Sequence, residues 1–393
     1  MCSDDDACGL VGTLSRMCSS AEAEERQETR QLDRLECKAG TDSRHPKVDP
    51  ELATKKYRRS AAGREYRAAD IRSPDACWQT MAFLMSEVLE LDVRPQLSKF
   101  AQTPGSYSEV YAYLRDRTRA VRADLHLQQP GVSSTPEFLR SHECCLRFEL
   151  LSRFLLIGTE GYDEKLGTEA ISQTIGPLMA AYRDSHQSGF ERSASEPAIR
   201  HLMLLLLLTF SPGTLSEHLA ALDKSLLRHP LIRSALGACS ALQAGDCARF
   251  LKYYRAADFL SAVAMSGAAD LARLRVLWML ARCSPPGIGD RLRLARVTQM
   301  LACGSEEHAR QFLELHGVQV DGTGSDSLVV LPKRGGPQGA SEHPLLAGGP
   351  GASMPERCLF PRGEDDLLAA KFAALGVSRA KIVFGDVDPG CEA

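Results

Sequence analysis

The sequence predicts a mainly α-helical protein: a right-handed stack of antiparallel helix pairs, TPR-like in shape, followed by a C-terminal winged-helix module. Three observations carry this. Leu, Ala and Arg are abundant while aromatics make up 6% of the 393 residues, a balance that favours helices over sheets. Apolar side chains recur at i, i+3 and i+4 between short polar breaks, without strand-like alternation. Near the end, three helical stretches are followed by two short apolar runs around a Gly-rich turn.

Residues 1–50 are polar and irregular, with one helix expected over 20–35 and a linker marked by Pro46 and Pro50. Residues 51–266 are expected to form the stack. A basic run, Lys55-Lys56-Tyr57-Arg58-Arg59, leads into it. Asp75 is the expected cap of a helix carrying Met81, Leu84 and Met85. Tyr113, Leu114 and Val121 share a helix that Gln128-Gln129-Pro130-Gly131 ends, and Phe148, Leu151 and Leu155 share the next. Ile171, Ile175, Leu178 and Tyr182 mark a helix that Gly176-Pro177 should kink or delay. Leu219, Leu222, Leu226 and Leu227 form another stripe, and 241–251 and 259–265 two more. No fixed-period repeat is visible, so the likeness to TPR proteins is one of shape.

Residues 267–334 change texture. A helix over 271–283 is stopped by Ser284-Pro285-Pro286-Gly287, and Leu294, Val297 and Leu301 mark a second. Ser305 caps a third, with Ala309, Phe312, Leu313 and His316 inside and Gly317 as its stop. Residues 318–320 read as a strand, 321–324 as a turn and 328–331 as the hairpin partner. Residues 335–362, rich in Gly and Pro, are expected to be a disordered insertion. Residues 363–393 form a C-terminal segment that regains order near 365–375, with a short apolar strand at Ile382-Val383-Phe384.

A net charge of −3 gives no global pull toward nucleic acid or membrane, so such binding must come from local patches. The longest apolar run, 202–210, is about half the ~20 residues a membrane helix needs, and no membrane insertion is expected. Among the 13 cysteines, Cys2, Cys8, Cys18 and Cys37 are too dispersed for zinc knuckles, and Cys144-Cys145 has no partner pair. The opening Met1-Cys2-Ser3-Asp4-Asp5-Asp6 lacks the features of a signal peptide, so free thiols in a reducing compartment are expected. Catalytic signatures fail in turn. His142-Glu143 runs into Cys144-Cys145-Leu146 without a second histidine, and neither a GxSxG elbow nor a GxxxxGK[ST] loop occurs. Asp386-Val387-Asp388 lacks the closing glutamate of a calcium loop. The expectation is a protein that is not an enzyme and takes no cofactor, metal or small-molecule substrate.

Basic residues offer the remaining functional signal. Arg291, Arg293 and Arg296, expected to enter the module's second helix, join Lys333 and Arg334 just past its hairpin as the candidate nucleic-acid-binding set. Asp290, Glu306, Glu307 and Glu314 leave the field mildly positive. RNA contact there would be phosphate-dominated and salt-sensitive, because no aromatic stacking platform is visible. Arg115, Arg119 and Arg122 share one helical face, open either to a partner or RNA contact or to an internal ion-pair network; the interspersed Asp116 and Asp124 weigh toward the network. The 55–59 run likewise reads as a segment packed on the stack, with Arg59 held in a salt bridge.

Several stretches are similar to those of a known family. Gly12-Thr13-Leu14-Ser15-Arg16-Met17-Cys18-Ser19, with Glu22 and Arg26 behind it, resembles the GTCxxMCPxxExxxR opening of the SAC/GANP family domain. Leu14 stands where that pattern has cysteine, and Ser15, Ser19 and Ser73 where it has proline. The stretch 54–63, with Tyr57, Arg59 and Ser60, resembles its VKxYxRSxA element, and Arg72 and Thr80 fall in its LRP…T stretch. Residues 116–125, with Asp116, Arg117, Thr118, Arg119, Arg122 and Asp124, resemble DRTRxIRxDL. Residues 145–148 resemble Cys-x-Arg-Phe, 246–260 the approach to a winged helix, and Lys371-Phe372 with Ile382-Val383 the closing strand.

This resemblance, over roughly 12–385, implies a compact member of the family built around its PCI-like domain. It implies a non-catalytic scaffold of the TREX-two type complex of transcription-coupled mRNA nuclear export. Such a scaffold pairs with a second PCI-domain protein that a small acidic subunit clasps, and RNA binds across the two winged helices. The implied location is the nucleus, in the nucleoplasm or at the nuclear pore. Shorter family members imply an alternative at the centrosome and spindle, or in the cytoplasm; a free-standing RNA-binding regulator is the third reading.

Overall fold

In a computed structural model, the residues described are 10–42, 44–59, 66–95, 99–100, 102–129, 131–187, 192–210, 212–283, 291–331 and 365–386. The expected insertion at 335–362, together with Ser60, Lys333 and Arg334, lies outside them. In chain order the helices begin with α1 Ser20–Glu28, α2 Pro74–Phe83, α3 Tyr107–Leu127, α4 Pro136–Leu156 and α5 Glu164–Gln187. Next come α6 Glu196–Phe210, α7 Leu215–Ala220, α8 Lys224–Arg228, α9 Pro230–Gln243, α10 Cys247–Ala256 and α11 Phe259–Cys283. The chain continues through β1 Arg291–Arg293, α12 Leu294–Met300, α13 Glu306–Leu315, β2 Gln319–Asp321 and β3 Leu328–Val330 to α14 Asp366–Leu375 and α15 Arg379–Phe384. The fold is thus mainly helical with one small antiparallel sheet. It divides into two compact units: Met1–Leu156, Glu160–Glu196 and Val377–Asp388 form one, and Ile157–Thr159, Pro197–Gly376 and Pro389–Ala393 the other.

In the first unit, α2 packs on α3 and α4, α3 on α4, and α4 on α5. Helix α4 is its centre, because Phe138, Leu146, Phe148, Leu150 and Leu151 fall on several sides of it and all are fully buried. Its two buried glutamates are hydrogen-bonded: Glu143 accepts from Tyr182 and Ser193, both at 2.7 Å, and Glu149 accepts from the Tyr111 hydroxyl at 3.1 Å. Helix α5 continues through Pro177, and α3 ends at Gln128 as expected.

Several local expectations change. The helix over 20–35 is two pieces: the chain leaves α1 at Thr29, Arg30 turns left-handed at φ 55°, and Asp33 starts a separate 3₁₀ turn, Arg34–Glu36. Nor is the stretch before residue 50 a linker. Lys38 N–H donates to the Lys47 carbonyl at 2.8 Å, and Val48 packs on a small core of Cys18, Ala23 and Ala53. Helix α2 is capped by Ser73, whose hydroxyl accepts from Ala76 N–H at 3.2 Å, with Pro74 setting its first turn; Asp75 sits inside that turn. Residues 382–384 are helical, not a strand. Ser378 caps α15 and Gly385, at φ 80°, ends it, while Ile382 and Val383 are buried. This three-residue apolar run has no strand to pair with among the described residues, and Trp78 meets Phe384 edge-on at 6.2 Å.

In the second unit, α9 packs on α10, α10 on α11, and α11 on α14. The leucine stripe at 219–227 is split between α7 and α8, because Asp223 caps α8 by accepting from Ser225 and Leu226 N–H. The expected helix at 241–251 breaks at Gly245, φ 75°, and restarts at the Asp246 cap. Helix α11 runs unbroken through the expected boundary at residue 267. Gly267 lets α6 come close: a Cβ there would lie 2.7 Å from Thr209 Cγ2. Arg291 and Arg293 lie on strand β1, not in a helix. The sheet order is β1-β3-β2, with Arg291 opposite Val330 and Arg293 opposite Leu328. Among the described residues, no helix is long and apolar enough to cross a membrane.

Candidate functional site

The motif stretches at 12–26, 54–57, 72 and 116–128, distant in sequence, meet in one buried network of the first unit. Its hub is Glu36, fully buried. Its carboxylate pairs with Arg26, lies 3.1 Å from Arg117 Nη2, and accepts from Thr54 N–H at 3.0 Å and the Thr54 hydroxyl at 3.2 Å. Arg117 also donates to the Thr54 hydroxyl at 3.1 Å and pairs with Asp116. The Tyr113 hydroxyl lies 2.7 Å from that of Thr54. Burial works against the charge of Arg117, but Glu36, with Tyr113 and Asp116, outweighs it and holds the guanidinium above its usual range. Arg26 completes the hub, donating to the Thr54 carbonyl at 3.1 Å and to Cys18 Sγ at 3.5 Å. Burial pushes the Cys18 thiol up to about 11. Glu22 accepts from Lys56 N–H at 2.9 Å, and Met17 presents its carbonyl to Lys55 N–H at 3.0 Å.

A second knot adjoins it. Asp124 accepts from Arg72 Nε at 2.7 Å and from Lys55 Nζ at 2.7 Å, and Arg72 is wholly buried. Gln128 ties the N-terminal segment to this knot, donating to the Arg72 carbonyl at 2.9 Å and accepting from Gly12 N–H at 2.9 Å. Gly12 is needed because a Cβ there would lie 2.5 Å from the carbonyl oxygens of both Ile71 and Arg72, backbone atoms that cannot step aside. Gly12→Ala should therefore release this segment at a cost of about 1–3 kcal/mol. Faster protease cleavage before Arg26 would report it; unchanged cleavage would contradict it.

The candidate motif residues thus divide. Arg26, Asp116, Arg117 and Asp124 hold the fold together, and Thr118 and Arg122 are buried with them, but the ion-pair network expected of Arg115, Arg119 and Arg122 does not form among the described residues. Arg119 instead lies over the Tyr57 ring at 4.0 Å, on the outer side, and Tyr57 N–H donates to Asp116 at 3.2 Å. Arg59 is exposed and has no ion pair among the described residues, against the expected salt bridge; Arg58 pairs with Glu25 at 2.8 Å instead. Sequence reasoning missed Glu36 and Thr54. The signal for Glu36 was there: Asp33 and Glu36 form a capping box, which marks the start of a turn and not the tail of a helix.

The second candidate surface is the sheet of the second unit. Arg291 and Arg293 alternate with Leu292 along β1 and so point to one face, exposed, with Gln319 and Asp321 across the sheet. Arg291 Nη2 lies 3.9 Å from Asp321. Arg296 is exposed on the first turns of α12. The opposite face buries Val329 completely. The unit is locked by a residue that sequence reasoning also missed: Arg273, fully buried, donates to the carbonyls of Leu301 at 2.9 Å and Ala302 at 3.0 Å, and to Asp365 at 2.9 Å.

Two chemistry-bearing groups of α4 are muted by burial. Burial raises the Cys145 thiol to about 12 and lowers His142 to about 3, so neither a thiolate nor an imidazolium forms there near neutrality. His308, Asp365 and Asp366 come close enough to suggest a metal. Asp365, however, accepts from Arg273 and from Tyr254, so the Arg273 guanidinium already answers its charge, while Asp366 accepts from Gly304 N–H at 2.8 Å and pairs with His308.

Compared with known proteins, residues 17–322 match the model of the SAC3/GANP family. SAC3 family protein B of Arabidopsis thaliana is 27% identical over 322 residues, 79% of this chain and 18% of that protein. Protein xmas of Drosophila melanogaster is 25% identical over 324 residues, 80% and 15% of the two chains. SAC3 family protein 1 of Schizosaccharomyces pombe is 25% identical over 202 residues, 51% and 18%. The chain spans less than a fifth of the length of these curated relatives.

Proposed function

The chain belongs to the SAC3/GANP family, and from that premise we propose that it is a non-catalytic scaffold subunit of a TREX-two type complex in transcription-coupled mRNA export. In this reading residues 51–266 form a TPR-like stack, and residues 267–334 a PCI-type winged helix that shares α11 with it. The observation that carries the reading is the order α11, β1, α12, α13, β2, β3 with sheet order β1-β3-β2, two helices flanked by strands that close into one small sheet. Its partners are a second PCI-domain protein and a small acidic subunit, in the nucleus.

RNA binds on the face of β1 and the start of α12, through Arg291, Arg293 and Arg296, with Lys333 and Arg334, which follow β3 in sequence, completing the set. That face offers guanidiniums and no aromatic platform, so phosphates are what it grips.

Gentle purification of the tagged chain from its own cells, with mass spectrometry of what accompanies it, tests the assembly. Recovery of a second PCI-domain protein with a small acidic one supports it; tubulin-associated proteins without a PCI partner would replace it with a spindle role. For RNA, Arg291→Glu with Arg293→Glu should flatten the dependence of log K on log salt by about 0.7 per phosphate contact removed. Unchanged affinity and slope would remove RNA from that face.

A further inference from the structure

We propose that a groove along the outer side of α3, in the first unit, docks an acidic peptide of a partner protein and anchors it by an apolar side chain. The groove encloses about 450 Å³, and Arg59, Arg115, Arg119, Tyr57, Tyr162 and Leu166 line it. Arg115 and Arg119 are four residues apart and so share one face of α3; both are half-buried, and Arg59 is exposed beside them. None of the three has an ion pair among the described residues. The contrast lies within one helix: Arg117, on the inner side, is paired with both Glu36 and Asp116.

The two acids bordering the groove are engaged elsewhere and pair with none of these arginines. Asp116 is held by Arg117 and by Tyr57 N–H. Asp163 accepts from Lys165 N–H at 2.9 Å and Leu166 N–H at 3.1 Å, as a cap of α5. The complement to three guanidiniums without an ion pair among the described residues is an anionic ligand, and guanidinium forks fit carboxylates in paired hydrogen bonds. The other wall adds what a bare anion does not need. Leu166 is 39% exposed, beside Tyr162, an apolar step that a leucine-like side chain of the ligand would cover.

A peptide fits this better than a nucleic acid. Base stacking needs an open aromatic face, but the Tyr57 ring is covered by Arg119, Tyr111 is 7% exposed with its hydroxyl on Glu149, and Tyr162 is half-buried, edge-on to Tyr111 at 5.7 Å. The groove shares no residue with the proposed RNA face on β1 and α12, so either can fail alone.

The test uses the full chain and a fluorescein-labelled peptide, Glu-Asp-Leu-Glu-Asp-Leu-Glu-Glu, followed by fluorescence anisotropy. Saturable, salt-sensitive binding is expected. Arg115→Ala with Arg119→Ala should weaken it at least ten-fold, and Arg59→Glu or Leu166→Ser several-fold. Arg291→Glu with Arg293→Glu should leave it unchanged. If the Arg115 and Arg119 variant melts early, the exposed Arg59→Glu decides. The proposal is overturned by absence of saturable binding, by equal binding to the groove variants, or by equal binding of a peptide with both leucines replaced by serine. A uridine oligomer of equal charge that displaces the peptide more tightly than the peptide binds would make the groove a nucleic-acid site instead.

Discussion

Glu36→Ala is expected to lower the unfolding free energy of the first unit by about 3–5 kcal/mol, the usual consequence of removing one partner from a buried ion pair. The size follows from what would be left behind. Glu36 is fully buried and answers Arg26 and Arg117, which are 1% and 3% exposed. Without it, Arg117 keeps Asp116, but Arg26 is left with Glu22, 3.6 Å from its Nε, and the Thr54 carbonyl. The Thr54 amide loses its acceptor as well. Local readout is available because the chain has two tryptophans, one per unit. With Trp278→Phe as background, urea unfolding followed by Trp78 fluorescence reports the first unit alone. Adding Arg117→Met should cost less than the sum of the two single changes, by about 0.5–3 kcal/mol, since each change alone already removes the Glu36–Arg117 pair. A loss below about 1 kcal/mol for Glu36→Ala, or strict additivity, would mean that the hub is not what fastens the N-terminal segment.

That hub also marks the limit of what could be read without a structure. Helix caps and stops were legible where the signal is local. Ser305 opens α13, Gln128 closes α3, and the 318–331 stretch pairs as β2 and β3, each fixed by neighbours within a few residues. Within 116–125 the Asp116–Arg117 pair was legible, but Arg115, Arg119 and Arg122, expected in an ion-pair network, have no ion pair among the described residues, and Asp124 answers Arg72 and Lys55 from elsewhere in the chain. Partners distant along the chain were not. Glu36 meets Thr54 eighteen residues on, and Arg273 meets Asp365 ninety-two residues on. Such pairings depend on tertiary packing that no local pattern records. Where local propensity misled, tertiary context overruled it: Ile382-Val383-Phe384 reads as a strand, but with no neighbouring edge to pair with and α4 to pack on, it coils into α15. Arg59, expected in a salt bridge, shows the converse, since a motif position need not be a structural one.

The acid–base behaviour of α4 gives the second large effect, and its sign separates two buried groups. Burial, against partial relief from Arg122 and the Tyr111 hydrogen bond, pushes the Glu149 carboxyl up to about 7 from an ordinary 4.5. A raised folded pKa favours folding below the unfolded value, and that favour is lost as pH rises through the folded one. Glu149 therefore stabilises the first unit below about pH 4.5, and the contribution fades toward pH 7. His142 runs the other way. Burial, aided by the charge of Arg122, takes it to about 3 from 6.5, so its contribution is present above pH 6.5 and fades as pH falls toward 3. Between 4.5 and 6.5 the two slopes oppose each other. Glu149→Gln removes one of them. The variant minus wild-type difference in stability should be near zero below pH 4.5, then climb by up to ~1.4 kcal/mol per pH unit, and level off above 7 with the variant ahead by about 3 kcal/mol. Taking the difference cancels every other titrating group that the substitution leaves alone. Urea unfolding at pH 4.5, 5.5, 6.5 and 8, read by Trp78, measures it. A difference flat across that range would place the folded and unfolded pKa values of Glu149 together, which a carboxyl 3% exposed among Tyr111 and the α4 core does not allow without water reaching it.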